Sequence, residues 1–407
     1  MSQRLRYLLA TGSWFFANGL HAVIFSWVIT MQLNGSPLAV GFAQMAFLLP
    51  TTLLILIGGS VADRVGGRLP AMAAQALATV ASLGLILVMS QGQVGYAVML
   101  VYAVVLGTAV AFLTPARDAL LNQVAGGRVQ RTVMLVSMVQ FGLQIVGALI
   151  ARAADAVGPQ TVLMLQAGAL LFGVLCFYSL RTVTPEQTTT SSGSILTGLL
   201  DGARAVIGAP ALRVIVLQNL AMGVLFMGSY IVLFPLLVRE TFGGQVAELS
   251  LVAAINSFGL VLTILLLLRL GDVRNQGRAL IASQVVGSIV LFTAASMSTF
   301  GGFLVLVFIW GLCGGLAMTM ARTIMQEQAP PEMRGRVMSF YSFSFMGAGP
   351  LGAAFCGLLG QWLGPAPAIM VAAGSMLTIM LIVALRSVLP RVRSTELIAV
   401  GDAGGPA

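Results

Sequence analysis

The sequence predicts an all-α membrane protein, with twelve transmembrane helices in two pseudo-twofold-related six-helix bundles. Three observations predict this class. Of the 407 residues, 58% are hydrophobic and only 8% charged, whereas soluble domains carry about 25% charged residues. So few charges cannot cover a surface that faces water. Apolar runs of the roughly 20 residues needed to cross a bilayer recur along the whole chain. Between those runs the arginines fall on alternate sides.

The apolar runs lie near 8–31, 38–61, 70–90, 95–114, 132–151 and 160–180, and then near 213–237, 247–268, 279–298, 302–321, 337–360 and 366–388. The first begins after Met1 to Arg6 and continues to about Met31. That is too long for the apolar core of a secretion signal, so it reads as an uncleaved first helix. Residues 1–180 form the N-terminal bundle, 181–212 a cytoplasmic linker, 213–389 the C-terminal bundle, and 390–407 a flexible cytoplasmic tail. The linker opens with the Ser/Thr-rich TPEQTTTSSGS. From Ile195 to Ile207 its apolar residues take helical spacing, with Asp201 and Arg204 opposite, which predicts an amphipathic helix lying on the membrane surface.

Arginine placement fixes the orientation. With both termini cytoplasmic, every arginine except Arg152 and Arg239 falls on the cytoplasmic side, as expected in a bacterial-type inner membrane. The net charge of +9 is therefore orientation and not a nucleic-acid footprint, since there is no lysine and the arginines are scattered. Cys176, Cys313 and Cys356 each sit alone inside an apolar run, a pattern that gives neither a disulfide framework nor a metal site. No phosphate-cradling loop and no nucleophile–His–acid set is present. The chain reads as a non-enzyme without cofactor or metal.

The two halves repeat each other in the same orientation. GGSVADRVGGR follows the second helix, with Gly59, Asp63, Arg64, Gly66 and Arg68; LRLGDVRNQGR follows the eighth, with Asp272, Arg274, Gly277 and Arg278. At one constant offset, Arg117, Gln123, Arg131, Gly142 and Gly147 recur as Arg322, Gln328, Arg336, Gly347 and Gly352. Parallel six-helix repeats imply a substrate cavity between the halves.

These residues resemble the major facilitator superfamily, whose signature after the second helix is Gly-x-x-x-Asp-Arg-x-Gly-Arg-Arg. Gly67 stands where one basic residue is expected. The segment QEQAPPEMRGRVMSFYSFSFMGAGPLG, Gln326 to Gly352, is similar to the branch of enterobactin exporters and macrolide efflux pumps. The resemblance implies secondary active transport by alternating access, with export by antiport as the leading expectation. It also implies that Asp63 meets the start of the eleventh helix near Gly335 and Arg336. By symmetry Asp272 would meet the start of the fifth near Arg131 and Thr132. These contacts would close a cytoplasmic gate. Two departures count against antiport: Gly147 is followed by Ala148 where antiporters often carry Gly-Pro, and Tyr102 to Pro115 of the fourth helix holds no arginine.

No carboxylate falls at mid-membrane, where it would cost about 2.5–3.5 kcal/mol and mark a cation or proton site. The polar groups left inside are mostly neutral. His21, the only histidine, shares a face of the first helix with Trp14, Asn18 and Phe25. It is either a proton switch or a neutral ring bonded to Asn18 or a neighbouring helix. The seventh helix presents Asn219, Met222, Phe226 and Tyr230. Gln140, Phe141 and Gln144 of the fifth helix, Asn256 of the eighth and Trp310 of the tenth complete a candidate cavity lining. Amides among aromatic and thioether groups suit a small, amphipathic, neutral or weakly anionic substrate, with protons and membrane lipid as the other partners of a monomer. Lipid or lysolipid translocation, uptake by symport, and a non-transporting sensor are the alternative readings. Gly142, Gly147, Gly347, Gly349 and Gly352 are the expected sites of close helix approach.

Overall fold

A computed structural model describes residues 2–125, 129–180, 195–271, 273–330 and 333–394. Among them twelve helices are long and apolar enough to span a membrane. They are α1 (Gln3–Gln32), α2 (Pro37–Ala62), α3 (Arg68–Ser90), α4 (Tyr96–Leu121), α5 (Leu135–Val157), α6 (Pro159–Tyr178), α7 (Pro210–Phe242), α8 (Val246–Leu270), α9 (Gln276–Ala295), α10 (Phe300–Gln328), α11 (Val337–Leu363) and α12 (Pro365–Arg386). A linker helix runs Ile195–Gly208. Several helices outrun their apolar stretches: α1 starts at Gln3 and α10 ends at Gln328. Hydropathy stops at the first polar residues, whereas backbone hydrogen bonding continues into the aqueous layer.

Local chemistry sets the ends. The Ser2 hydroxyl accepts from Leu5 N–H, and the Ser36 hydroxyl accepts from Ala39 N–H just before Pro37 opens α2. Gly66 and Gly271, both at φ 80°, end the helices of α2 and α8, one three residues after Asp63 and the other just before Asp272. Pro350 has no N–H to give the carbonyl four residues back. In keeping with this, the eleventh helix is interrupted after Met346 and resumes at Gly349. Ile145 stands at the equivalent place in the fifth helix, which is continuous over Val129–Ala151.

The residues group into two compact units, Met1–Thr190 with Phe234–Ala254, and Ser191–Leu233 with Ile255–Ala407. In the first unit α1 packs on α5 and α6, α2 on α4, and α3 on α4 and α6. In the second, α9 packs on α10 and α12, and the outward-wound part of α7 packs on α11. The linker helix rests on the start of the eleventh helix and of α7. Large apolar side chains face outward on these helices, Leu385 being 84% and Trp362 72% exposed. Such a surface is stable only against lipid.

Backbones touch where side chains are missing. A Cβ on Gly19 would lie 2.3 Å from the Gln144 carbonyl oxygen, and one on Gly147 would lie 2.2 Å from that of Phe16, locking α1 to α5. In the second unit a Cβ on Gly228 would lie 2.4 Å from the Gly352 oxygen, and one on Gly352 would lie 2.5 Å from the Gly223 oxygen, locking α7 to α11. Two of the expected close-approach glycines thus act as paired contacts. Gly142 does not: it is exposed, and nothing lies within 4 Å of its Cβ position. The three cysteines are free thiols, with Cys176 and Cys356 buried.

The last turns of α7 belong to the first unit. There the Arg239 guanidinium donates to the carbonyls of Thr30 (2.6 Å) and Gly35 (3.0 Å), to Asn34 Oδ1 (3.2 Å) and to Glu240. A cation is thereby set on the negative end of α1. Asp155 accepts from Ala247 N–H at the positive end of α8.

Gly147→Val is expected to lower both the yield of folded protein and its thermal midpoint, since overpacking costs about 1–3 kcal/mol. Gly84→Ala, at a position with nothing within 4 Å, is the control and should leave both unchanged. Size-exclusion chromatography after a heating series reads both.

Candidate functional site

In each unit, polar side chains meet where an inner helix crosses its neighbours. In the first, Gln75 of α3 donates to the Ser13 hydroxyl of α1 at 3.0 Å. The Gln166 amide of α6 donates to the Ser82 hydroxyl (3.1 Å) and the Tyr102 hydroxyl (2.9 Å). Tyr102 in turn lies 3.3 Å from His21 Nδ1. The His21 ring is enclosed by Phe25 and Phe47, both with centroids at 5.0 Å, and by Tyr102 at 5.7 Å. Trp14, Asn18, His21 and Gln166 line a void of about 10 Å³, with Ala17, Leu106, Val110 and Leu170 completing it. That is the lower edge of what holds a single water. The shared face of Trp14, Asn18 and His21 is therefore real, yet the space beside it is filled. Phe25 lies in the aromatic cluster and not on that void.

The second unit is open where the first is packed. Met222, Phe226 and Tyr230 of α7, Asn256 of α8 and Trp310 of α10 line one cavity of about 150 Å³. The Trp310 ring stands 5.8 Å from Phe226, edge-on at 69°, and 5.9 Å from Tyr230. None of the lining residues carries a charge. Five of the residues expected in the lining are thus brought together. Asn219 lies behind this wall, 3% exposed, where its Oδ1 accepts from Gln218 at 2.8 Å. Neither of these two cavities is lined by Gln140, Phe141 or Gln144, which ride on α5.

The alignment along α7 depends on π-helical turns at Gly223–Met227 and Ser229–Leu233. In a regular α-helix, residues four apart drift by about 40° per step. The wider turns rotate the face back, so Met222, Phe226 and Tyr230 reach the same cavity. A similar turn, Val28–Gln32, closes α1. Such turns mark functional sites often.

Sequence reasoning missed the amides that organise both sites. Gln75 and Gln284 stand at the same repeat offset as Asp63 and Asp272. The backbone carbonyl of each accepts at 2.8 Å from a hydroxyl four residues on, Thr79 in one unit and Ser288 in the other. The offset was available as a signal; the bonds were not, because their partners come from helix packing.

Of the gate residues, Asp272 and the side chains of Asp63, Arg131 and Arg336 lie outside the described residues. A Cβ on Gly59 would make only ordinary contact with Pro115 Cβ at 3.9 Å, and Arg64 is exposed. Arg68 reaches back to the end of α6, bonding the Tyr178 carbonyl and stacking 5.4 Å from the Tyr178 ring. Gly67 explains its own departure from the signature: a Cβ there would sit 2.3 Å from the Ala116 carbonyl oxygen, which leaves no room for a basic side chain.

Repeated helical bundles with an apolar outer surface and uncharged polar interiors define a membrane transporter of the major facilitator type. The chain belongs to the transmembrane secretion effector family of that superfamily, whose model matches residues 8–406. It is 27% identical over 361 residues to the multidrug efflux pump Tap of Mycolicibacterium fortuitum, covering 84% of this chain and 85% of that protein. To the multidrug efflux pump Tap of Mycobacterium tuberculosis it is 26% identical over 363 residues, covering 84% and 83%. Among solved structures, the nucleoside transporter NupG superposes with a TM-score of 0.73 at 13% identity, covering 94% of this chain and 98% of that one. A bacterial homolog of the human lysosomal transporter Spinster, inward-facing and unoccupied, gives 0.72 at 14% identity, covering 95% and 96%. At these identities the structural likeness is one of fold. The chain is a multi-pass bacterial membrane transporter and not an enzyme.

Cys313 also lines the 150 Å³ cavity. In a Cys176→Ser, Cys356→Ser background, a small maleimide should modify Cys313. A compound that occupies the cavity should slow that modification several-fold, as measured by mass spectrometry over time.

Proposed function

We propose that this transporter exports small, uncharged or weakly charged amphipathic molecules by alternating access, coupled to protons. The cavity of the second unit carries the reading: a concave site walled by Met222, Phe226, Tyr230 and Trp310, with amides and no charge. Aromatic and thioether walls bind varied apolar shapes, and the few amides orient a polar group. Two relatives named as multidrug efflux pumps support export and a small-molecule substrate. Arginine placement supports cytoplasmic termini in a bacterial plasma membrane, and the chain works as a monomer in this reading.

The resemblance of the loop around Asp63 supports a cytoplasmic gate in which Gly59, Asp63, Arg64, Gly66 and Arg68 act with Arg336, and Asp272 with Arg131. His21 is the candidate proton carrier, because it is the one side chain inside the helices that titrates near neutral pH when unperturbed.

Purified protein in lipid vesicles with an imposed pH gradient tests this reading against neutral aromatic drugs, cationic drugs and lysolipids. Gradient-driven drug movement is expected. Gradient-independent lysolipid movement without drug transport would replace it with lipid translocation. His21→Gln should remove the gradient dependence while the folded yield is kept; unchanged pH dependence would take the proton role from His21. Asp63→Asn should cut transport at least about tenfold, a loss of about 1.4 kcal/mol in the gating equilibrium. Its fold, read by melting temperature, should be unaltered.

A further inference from the structure

Gln284 stands on the wall of the 150 Å³ cavity and is only 2% exposed. Its amide nitrogen is committed, donating to Gln218 Oε1 at 2.6 Å and to the Met222 sulfur at 3.4 Å. Gln218 passes the polarity on, donating to Asn219 Oδ1 at 2.8 Å. The three amides form a directed chain. A thioether accepts and cannot donate, so Met222 holds the Gln284 nitrogen toward itself. The other end of that amide, Oε1, is buried without a hydrogen-bond partner. A buried acceptor left unpaired costs about 1–3 kcal/mol.

The equivalent amide in the other unit also has an unpartnered oxygen, Gln75 Oε1, but it is sealed. Gln75 is fully buried, and a Cβ on Gly173 would fall 2.1 Å from its Nε2. Gln284 instead adjoins open space. Gly287, Gly311 and Gly314 contribute no side chains to the wall, and nothing lies within 4 Å of a Cβ placed on Gly314. Ser283 cannot satisfy that oxygen, because its one O–H is given to the Leu280 carbonyl at 2.8 Å.

We propose that this cavity is a substrate subsite for a neutral aromatic group bearing one hydrogen-bond donor, which Gln284 Oε1 reads. The proposal rests on the transport reading above and names the substrate class for it. Volume sets the size: an apolar cavity of about 150 Å³ takes a single benzene-like ring, with Phe226, Tyr230 and Trp310 supplying aromatic faces and edges. The uncharged wall sets the charge, since an ionised group would enter without a counter-ion. The unpaired carbonyl sets the polarity. A phenol, an anilide N–H or an indole N–H satisfies it; an ether or a methylated nitrogen leaves it orphaned.

The test measures equilibrium binding of radiolabelled phenol and anisole to the full-length protein in nanodiscs. The two differ in the donor and little else. Wild-type protein is expected to favour phenol by about tenfold beyond the difference seen in empty nanodiscs, the size of one buried hydrogen bond. Gln284→Leu should bring that ratio to near one while anisole binding persists. Gly314→Leu, which fills the space, should weaken both. A folded Gln284→Leu protein that keeps the tenfold preference overturns the proposal, as does a folded Gly314→Leu protein that binds both as wild type does. Should Gln284→Leu fail to fold, Gln284→Met keeps the length of the side chain and is read by the same ratio. Vesicle uptake of both compounds by wild-type protein separates the two claims. Donor preference without transport removes the transport reading and leaves the subsite; transport with a preference indifferent to residue 284 removes the subsite alone.

Discussion

Hydrocarbon offers no hydrogen bonds, and most of this structure follows from that one constraint. Every backbone amide must find its partner inside a helix, so the chain is helical wherever it crosses the apolar layer. The polar side chains that remain are drawn inward and onto one another: Gln75 to Ser13, Gln166 to Ser82 and Tyr102, Gln284 to Gln218. Where helices must also approach closely, side chains disappear, as at Gly147 and Gly352. Charges stay at the ends, where Arg239 and Asp155 settle on helix termini of opposite polarity.

Much of the fold was legible because lipid imposes a crude filter. Length of apolar run, arginine alternation and the Asp63/Asp272 repeat each report a requirement that acts residue by residue. The ends of α1 and α10 were less legible, since a helix continues past the last apolar residue. The site was only partly legible. Spacing on α7 gathered Met222, Phe226 and Tyr230, which share one cavity with Trp310 of another helix. Asn219, read onto the same face, is buried against Gln218 instead. A helical wheel assumes an even winding, and the turns beginning at Gly223 and Ser229 are not even. Gln284 was passed over because a glutamine in an apolar run shows neither its neighbours nor which end of its amide is used.

The two halves share recurring residues at constant offsets, yet packing makes their interiors unlike. The repeated glutamine, whose backbone carbonyl accepts from a hydroxyl four residues on in both units, is shut in by Gly173 in one unit and faces an aromatic box in the other. The amide oxygens of Gln75 and Gln166 in the first unit and of Gln284 in the second all lack hydrogen-bond partners, but only the last stands on the wall of a cavity large enough for a ring. Symmetry of backbone therefore does not carry symmetry of chemistry, and the two halves need not contribute equally to recognising a cargo.

The wide turns of α7 have a mechanical corollary. A helix holding one surplus residue in a turn can hand that surplus to the next turn by exchanging a few carbonyl partners, without stretching or breaking. Each residue the defect passes is re-aimed by about 100°, the angle between successive positions of an α-helix. A shift past Phe226 would swing that ring off the wall it shares with Trp310, so a small slippage inside one rod can empty a pocket that rigid rocking alone would carry along intact.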